Sequence, residues 1–397
     1  MLFIMKKCLF LLLFCLFICC CNDSVDKLAD GVEVIDLEAA FDHNSDYINL
    51  SKYASAIDYV PLETNSESGL GRYPDFLIKN DCLYVHYVNA KKILMFDSNN
   101  GQYVKSLDKH GRAYGEYLSC RIFDTANGCD DIAILDKSKL YKYDSAQICV
   151  FESPKMKLGF TNMLKANPAD DNSFFVNDTR VENISGKKSF NEYLTLIDSC
   201  GVVSRTLIQT GVDAFDGRAV FFDYDNKLKV INSSRDTIFN LTPLNELSMA
   251  YVITLGKYSE FKELEGKSSY NLILRRAIFE NDDFIFFSGT LPEKNLPQIF
   301  SDNYNEDIAS AILYDKNEKK TYALKKLPDC DYLGFVNDLD NGAPFLPFCS
   351  DGKKMYQIVD AGEFKQLADK YNVPRMKEVA AQLTEDSNPV VVVVTMK

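Results

Sequence analysis

Residues 82–107 contain three short apolar runs and one polar turn, Cys82-Leu-Tyr-Val-His-Tyr87, Ile93-Leu-Met-Phe-Asp97, Ser98-Asn-Asn-Gly101 and Gln102-Tyr-Val-Lys-Ser-Leu107. Runs rich in β-branched and aromatic residues, broken by Asn, Asp and Gly, are typical of β-strands joined by tight turns. The aspartate that ends the second run has a physical role, because its side chain can accept hydrogen bonds from the backbone donors of the turn that follows. This stretch predicts hairpin-linked strands.

The same pattern recurs along the chain, which favours a repeat architecture. A second clear copy reads Asp131-Ile-Ala-Ile-Leu135, Leu140-Tyr-Lys-Tyr-Asp144 and Gln147-Ile-Cys-Val-Phe151. The copies are marked by Asp97, Asp144, Asp198, Asn240, Asp315 and Asp360. Their spacing is about 40–55 residues with one longer interval before Asp315, which is typical of propeller blades of four strands each. We therefore predict an all-β fold, a six-bladed β-propeller; a pair of β-sandwiches with similar hairpins is the alternative.

Two strand-like segments near the ends of the chain predict how the ring closes. Ile57–Glu63 and Val390–Thr395 are both expected to join one blade, which removes two exposed sheet edges. Between Asp360 and Asp386 the apolar spacing changes to three and four residues, which predicts helix, and Pro374 divides it into two. We assign residues 51–397 to the propeller, with this segment as a short C-terminal helical elaboration, and residues 22–50 to an N-terminal linker.

The first 21 residues have the features of an export signal. Lys6 and Lys7 form a short basic start, and Cys8–Cys20 is an apolar run too short to span a bilayer as a helix. Cys21 has an isoleucine three residues before it and a small residue directly before it, which suits lipidation. We predict a lipoprotein signal over 1–21 and a lipidated Cys21; Cys20 is the alternative acceptor, and an ordinary signal peptide is the alternative reading.

Composition excludes several classes of function. The net charge of −13 and the pI near 4.9 argue against nucleic-acid binding, which relies on clustered Lys and Arg. Seven cysteines follow Cys21, an odd and scattered set without a Cys-x-x-Cys pair, so neither a disulfide framework nor a zinc site is expected. The three histidines, His43, His86 and His110, make a His₃ metal site or a Ser-His-Asp triad improbable. We predict no catalytic residue, no metal and no cofactor.

Four sequence features resemble a known family. They are Asp58-Tyr-Val-Pro-Leu-Glu-Thr64, the turn Phe96–Gly101, the loop Gly111-Arg-Ala-Tyr-Gly-Glu-Tyr117 and the end Asn388-Pro-Val-Val-Val-Val-Val394. With these features the chain resembles the six-bladed β-propeller lipoproteins of Bacteroides and relatives. The resemblance implies a propeller fold and an envelope location, and it implies no reaction.

A candidate binding site follows from the topology of a propeller. The connections that run from the outer strand of one blade to the inner strand of the next share one face, and Lys109–Tyr117 is such a connection. Gly69–Arg72 and Gly211–Arg218 are expected to open on the same face. Arginine with aromatic residues in a concavity suits a carboxylate or a sugar. The predicted binding residues are Arg72, Arg112, Tyr114, Glu116 and Arg218; in the alternative, Arg112 and Glu116 only pair with each other to fix the loop.

Two functions are compatible with these features. The favoured one is a binding or scaffold module without catalytic activity, held in the outer membrane by its lipid, on the periplasmic or the cell-surface side, with a glycan, peptide or protein partner. The alternative is a hydrolase or lyase that acts on a polysaccharide with paired carboxylates, which the 57 acidic residues leave open.

Overall fold

The computed structural model describes most of the chain beyond residue 31. The described residues are 32–42, 47–71, 74–87, 91–125, 131–168, 170, 173–184, 187–198, 200–212, 219–225, 227–232, 237–242, 244, 246–254, 273–292, 307–327 and 333–397. Val34–Lys397 form one compact unit, and the predicted signal, 1–21, lies outside the described residues. Within the described ranges no helix has both the length and the apolar character needed to span a membrane.

The strands form six sheets, which we number as blades 1 to 6. The N-terminal part supplies β1 (Glu33–Asp36), α1 (Leu37–Asp42), a 3₁₀ turn (Leu50–Lys52) and β2 (Ala54–Pro61). Blade 1 contains β3 (Pro74–Lys79), β4 (Cys82–Tyr87), β5 (Ile93–Asp97) and β6 (Tyr103–Leu107). Blade 2 contains β7 (Phe123–Thr125), β8 (Ile132–Asp136), β9 (Lys139–Tyr143) and β10 (Cys149–Glu152). Blade 3 contains β11 (Phe160–Ala166), β12 (Phe174–Ile184), β13 (Lys187–Ile197) and β14 (Val203–Val212).

The second half of the chain completes the ring. Blade 4 contains β15 (Ala219–Tyr224), β16 (Lys227–Asn232), β17 (Thr237–Leu241) and β18 (Leu247–Thr254), with β1 as a fifth strand beside β18. Blade 5 contains β19 (Ile273–Glu280), β20 (Phe284–Pro292), β21 (Asp307–Asp315) and β22 (Lys320–Ala323). Blade 6 contains β23 (Cys349–Ser350), β24 (Lys354–Val359), α2 (Ala361–Tyr371), α3 (Pro374–Ala380) and β25 (Val390–Met396), with β2 as its outer strand.

Blade 6 joins the two ends of the propeller. β2 pairs antiparallel with β25, so that Ile57 lies opposite Val394 and Tyr59 lies opposite Val392. The predicted closure is therefore confirmed. The physical reason is that a strand at either end of an open ring would leave its backbone donors and acceptors unpaired.

Apolar side chains pack between neighbouring blades around the whole ring. The buried residues fall into six clusters, and each cluster combines residues of two adjacent blades. Val391 of blade 6 packs with Leu83 and Phe96 of blade 1, for example, and Phe175 of blade 3 packs with Val230 of blade 4. The predicted six-bladed propeller is confirmed, and the sandwich alternative is wrong because each sheet packs against two neighbours in a closed ring.

The aspartates that mark the repeats cap the turns after the third strand of four blades. Asp97 accepts a hydrogen bond from Asn99 N–H at 2.8 Å, and Asp144, Asp198 and Asp315 make equivalent bonds. Two of the predicted markers are wrong. In blade 4 the cap is the Thr242 hydroxyl, not Asn240, which lies within β17. In blade 6 Asp360 follows the second strand, because α2 and α3 are inserted before the third strand.

The inserted helices and the N-terminal segment pack against the outside of blades. Phe364 and Val379 are buried in the cluster between blades 5 and 6, and Pro374 is the first residue of α3, as its fixed φ favours. Within the predicted linker, 22–50, the described part contains β1 and α1. Ile35 and Leu37 are fully buried in the cluster between blades 4 and 5, so this part contributes to the packed fold.

Candidate ligand-binding sites

The propeller has two faces that differ in which connections they carry. Because consecutive strands of a blade run antiparallel, the turns after the first and third strands lie on one face, which we call the turn face. The turns after the second strand and the connections between blades lie on the opposite face, which we call the loop face. A cavity whose lining includes charged residues lies on each face.

The axial mouth is a cavity of about 590 Å³ on the turn face. It is lined by the first turns of five blades and by the C-terminal residues, which places it where the inner strands end. The lining residues are Lys79, Lys165, Ala166, Pro168, Asp223, Tyr224, Asp225, Glu280, Asn281, Asp282, Asp283, Asp351, Gly352, Met396 and Lys397. These residues could not be identified from the sequence, because they come from short polar turns without a motif.

Glu280 is the most deeply buried acid of the mouth, and its carboxylate is already occupied. It lies 2.5 Å from the Lys229 ammonium and 2.6 Å from the Lys316 ammonium, and the Tyr251 hydroxyl donates to it at 2.8 Å. Burial lowers the pKa of Lys229, and the contact with Glu280 opposes that effect. The cluster joins blade 4 to blade 5, so we read it as structural.

The other charges of the mouth also have partners within the protein. Lys165 pairs with Asp223 at 2.9 Å, and the Tyr224 hydroxyl donates to Asp282 at 3.0 Å. Burial and the bond to Asp282 raise the pKa of Tyr224 to about 12. The Lys316 ammonium lies 3.8 Å from the centre of the Tyr224 ring, a cation–π contact. The mouth is thus a polar surface whose charges largely satisfy one another.

The loop cavity is a depression of about 260 Å³ on the loop face, over blade 2. Its lining residues are Gly111, Arg112, Ala113, Glu116, Leu118, Asp136, Lys137, Ser138, Lys139, Tyr141, Glu152 and Lys155. The structure therefore brings Arg112 and Glu116, two of the predicted binding residues, into one cavity. They line it together with the residues of a single blade rather than with several blades around the axis.

Three carboxylates hold the loop Gly111–Leu118 in place. Glu116 accepts a hydrogen bond from Ala113 N–H at 2.8 Å, and Glu152 accepts one from Gly115 N–H at 2.8 Å. Asp136 accepts one from Leu118 N–H at 2.6 Å. The Gly115 bond and the Lys139 ammonium, 2.6 Å away, lower the pKa of Glu152.

Both glycines of the loop suit its shape. Gly115 has a φ of +73°, and a Cβ there would lie 2.7 Å from the Cys149 Cβ. A Cβ on Gly111 would lie 1.8 Å from a Glu116 carboxylate oxygen. Glycine adopts a positive φ at no steric cost, and a side chain at position 111 would displace the Glu116 carboxylate that holds the loop.

The fixed loop leaves two predicted binding side chains exposed. Arg112 is exposed, and Tyr114 is 76% exposed, the highest value among the exposed large apolar and aromatic side chains of the described residues. The carboxylate of Glu116 bonds to the loop backbone, and no ion pair joins it to Arg112 in the described part of the chain. Glu116 therefore holds the loop, as the alternative prediction stated. It does so through a hydrogen bond from the loop backbone and not through a pair with Arg112. Arg72, Arg218 and Cys21 lie outside the described residues, so their roles stay predictions.

Neither cavity has the arrangement of a metal centre. Within the described ranges, no group of three or more His, Cys, Asp or Glu residues is placed to hold a metal ion. Among the described residues, no disulfide bond is formed by Cys82, Cys120, Cys149, Cys200 or Cys349.

Comparison with known proteins relates the chain to solved structures and to one family. The chain is similar to a Bacteroides fragilis protein for which export is proposed, with 16% identity and a TM-score of 0.62 over 92% of this chain and 99% of that one. It is also similar to a member of the DUF4221 family from Bacteroides vulgatus, with 12% identity and a TM-score of 0.47 over 87% of this chain and 97% of that one. No curated protein matches the chain. A family model matches residues 32–395, and the chain therefore belongs to the family described as "Domain of unknown function (DUF4934)".

Proposed function

We propose that the protein is an extracytoplasmic binding module, anchored in the outer membrane by a lipid on Cys21, that recognises a glycan, peptide or protein partner through its loop face without altering it. The observation that carries the proposal is the fixed loop Gly111–Leu118. Three carboxylates hold its backbone, and they leave Arg112 and Tyr114 open to solvent. A recognition loop that is ordered before binding loses little conformational entropy when the partner arrives.

The axial mouth gives weaker support to the hydrolase or lyase alternative. Glycoside hydrolysis requires one carboxyl group that donates a proton and a second that acts as a base or nucleophile. Glu280 is enclosed by two ammonium groups and a hydroxyl, Asp223 is paired with Lys165, and Asp282 accepts from Tyr224. Groups with such fixed partners suit a structural network better than proton transfer.

The location is proposed from the N-terminal sequence. The basic start, the apolar run and the small residue before Cys21 support export and lipidation. A Cys21→Ser variant is expected to lose the lipid and to move from the membrane fraction to the soluble fraction, while Cys20→Ser remains in the membrane. Retention of the Cys21→Ser variant in the membrane with its lipid would move the acceptor to another cysteine.

A thermal-shift screen of the full-length protein in mild detergent tests the binding function. The panel contains acidic and neutral oligosaccharides, peptidoglycan fragments and peptides. A ligand at 100 times its Kd stabilises the folded state by about 2.7 kcal/mol, which gives a measurable rise in Tm. We expect a rise that is lost in Arg112→Ala and kept in Asp282→Asn. Release of new reducing ends from a polysaccharide, abolished by Asp282→Asn, would instead establish the enzyme.

A further inference from the structure

The three carboxylates that line the loop cavity all accept hydrogen bonds from the protein, whereas most of its cations have no ion-pair partner among the described residues. Each of the three carboxylates accepts a backbone N–H, and Glu152 also pairs with Lys139. The other cations that line the cavity are Arg112, Lys137 and Lys155; all three are exposed, and no ion pair to them occurs in the described part of the chain. With four cations and three carboxylates on its wall, the cavity has a positive balance. It therefore suits an anionic group, and the arginine fork matches a carboxylate.

A buried acceptor in the same wall lacks a donor. Asp136 is only 6% exposed, and its Oδ2 accepts the Leu118 N–H while its Oδ1 has no hydrogen-bond partner. An unsatisfied buried carboxylate oxygen costs free energy, and a ligand hydroxyl that donates to it, after the small side-chain rotation needed to uncover this oxygen, would recover part of that cost. The wall of the loop cavity therefore suits a ligand that has a hydrogen-bond donor as well as a negative charge.

The size of the cavity and its neighbouring aromatic ring limit what can fit. Its volume of about 260 Å³ is below the roughly 300–1,000 Å³ of pockets that enclose whole drug-sized ligands. One ring-sized unit of a longer molecule suits it better. Tyr114 does not line the cavity, but it follows the lining residue Ala113 and is 76% exposed, so its ring can turn toward a ligand that is bound there. A tyrosine on an ordered loop supplies a large contact area at low entropic cost.

From these three features together we propose that the loop cavity binds a sugar-acid unit of a glycan, a ring that carries hydroxyl groups and one carboxylate. The carboxylate bonds to Arg112, with Lys137 and Lys155 nearby; a hydroxyl donates to Asp136; and the ring face lies against Tyr114. This inference rests on the proposed binding function and names the ligand class of that same site.

Isothermal titration of the full-length protein in mild detergent tests the ligand class. The probes are trigalacturonate and its methyl ester, which share a shape and differ in charge. The variants are Arg112→Ala, Tyr114→Ala and the control Lys109→Ala, whose exposed side chain belongs to the same connection and does not line the cavity. All three changes are at exposed positions and are expected to leave the fold intact.

We expect trigalacturonate to bind the wild type and Lys109→Ala equally, at least tenfold more weakly in Arg112→Ala, and more weakly as salt rises. The methyl ester should bind at least tenfold more weakly than the acid. Equal affinities for the acid and the ester, both lost in Arg112→Ala, would overturn the ligand class while leaving the binding function in place. If neither probe binds but a panel peptide does, and that binding is lost in Arg112→Ala, the class is equally overturned. Binding of the acid that Arg112→Ala leaves unchanged would overturn the site as well.

Discussion

At the scale of single residues, the shape of the loop Gly111–Leu118 depends on Glu152. Its carboxylate bonds to Gly115 N–H, and that bond and Lys139 lower its pKa below the usual 4.5. A carboxyl group whose pKa is lower in the folded state stabilises that state above pH 4.5 and loses the contribution as the pH falls through its folded pKa. The loop should therefore stay fixed at neutral pH and loosen only in acid.

Nuclear magnetic resonance of the Gly115 amide checks this expectation. Its chemical shift should titrate with a midpoint below 4.5 in the wild type and should not titrate in Glu152→Gln. A midpoint above 4.5 would show that the carboxylate is not stabilised by these partners.

Glu280 carries the largest stability effect that we expect from one side chain. A Glu280→Gln substitution leaves Lys229, which is 5% exposed, without its buried counter-ion. Breaking a buried pair by removing one partner costs about 3–5 kcal/mol, to be measured as a lower free energy of unfolding in urea. The control is Asp225→Asn in the same mouth, where the exposed pair with Lys227 contributes at most about 1 kcal/mol. Similar losses in the two variants would contradict the structural role of Glu280.

At the scale of elements, the turn after the third strand is the unit that repeats. Asp198 accepts bonds from Cys200 N–H and Val202 N–H at 2.9 and 2.8 Å, so Asp198→Ala removes both. We expect a loss of about 1–3 kcal/mol in the free energy of unfolding. Asp131→Ala, an exposed aspartate before β8, should stay within about 0.5 kcal/mol of the wild type. If Asp198→Ala leaves the free energy of unfolding unchanged, the repeated aspartate has no structural role.

The elements also show where sequence reasoning succeeds and where it ends. Asp97 and Asp144 could be predicted because one side chain satisfies donors within four residues, which is a local requirement. The prediction for Asn240 was wrong because a threonine hydroxyl can accept the same hydrogen bond from the turn backbone, and Thr242 does so. The prediction for Asp360 was wrong because a helical insertion interrupts blade 6. No local feature of the sequence distinguishes a strand before a helix from a strand before a turn.

The candidate sites were predicted only in part, for a similar reason. Arg112, Tyr114 and Glu116 lie within six residues of one another, so the connection that carries them could be identified. Asp136 and Glu152, which complete the loop cavity, come from other strands of blade 2 and meet the loop only in the folded chain. The axial mouth, assembled from the turns of five blades, has no counterpart at all in the linear sequence.

At the scale of the whole molecule, the ring depends on β25. This strand lies between β24 and β2, so it holds the N-terminal strand to the C-terminal blade. A chain that ends at Pro389 exposes two strand edges and the apolar clusters on both sides of blade 6. We expect it to lose cooperative unfolding or to aggregate, as followed by circular dichroism on heating. The control chain ends at Met396 and should unfold as the wild type does; cooperative unfolding of both would contradict closure through β25.

We propose that the protein binds its partner on the loop face over blade 2. Hydrogen–deuterium exchange of the full-length protein, with and without the panel compound that raises Tm most, locates the bound compound. We expect slower exchange in 111–118 and 136–139, with the turns at 223–225 and 280–283 unchanged. Slower exchange at those turns, with the loop unchanged, would place the ligand in the axial mouth and contradict the proposed site.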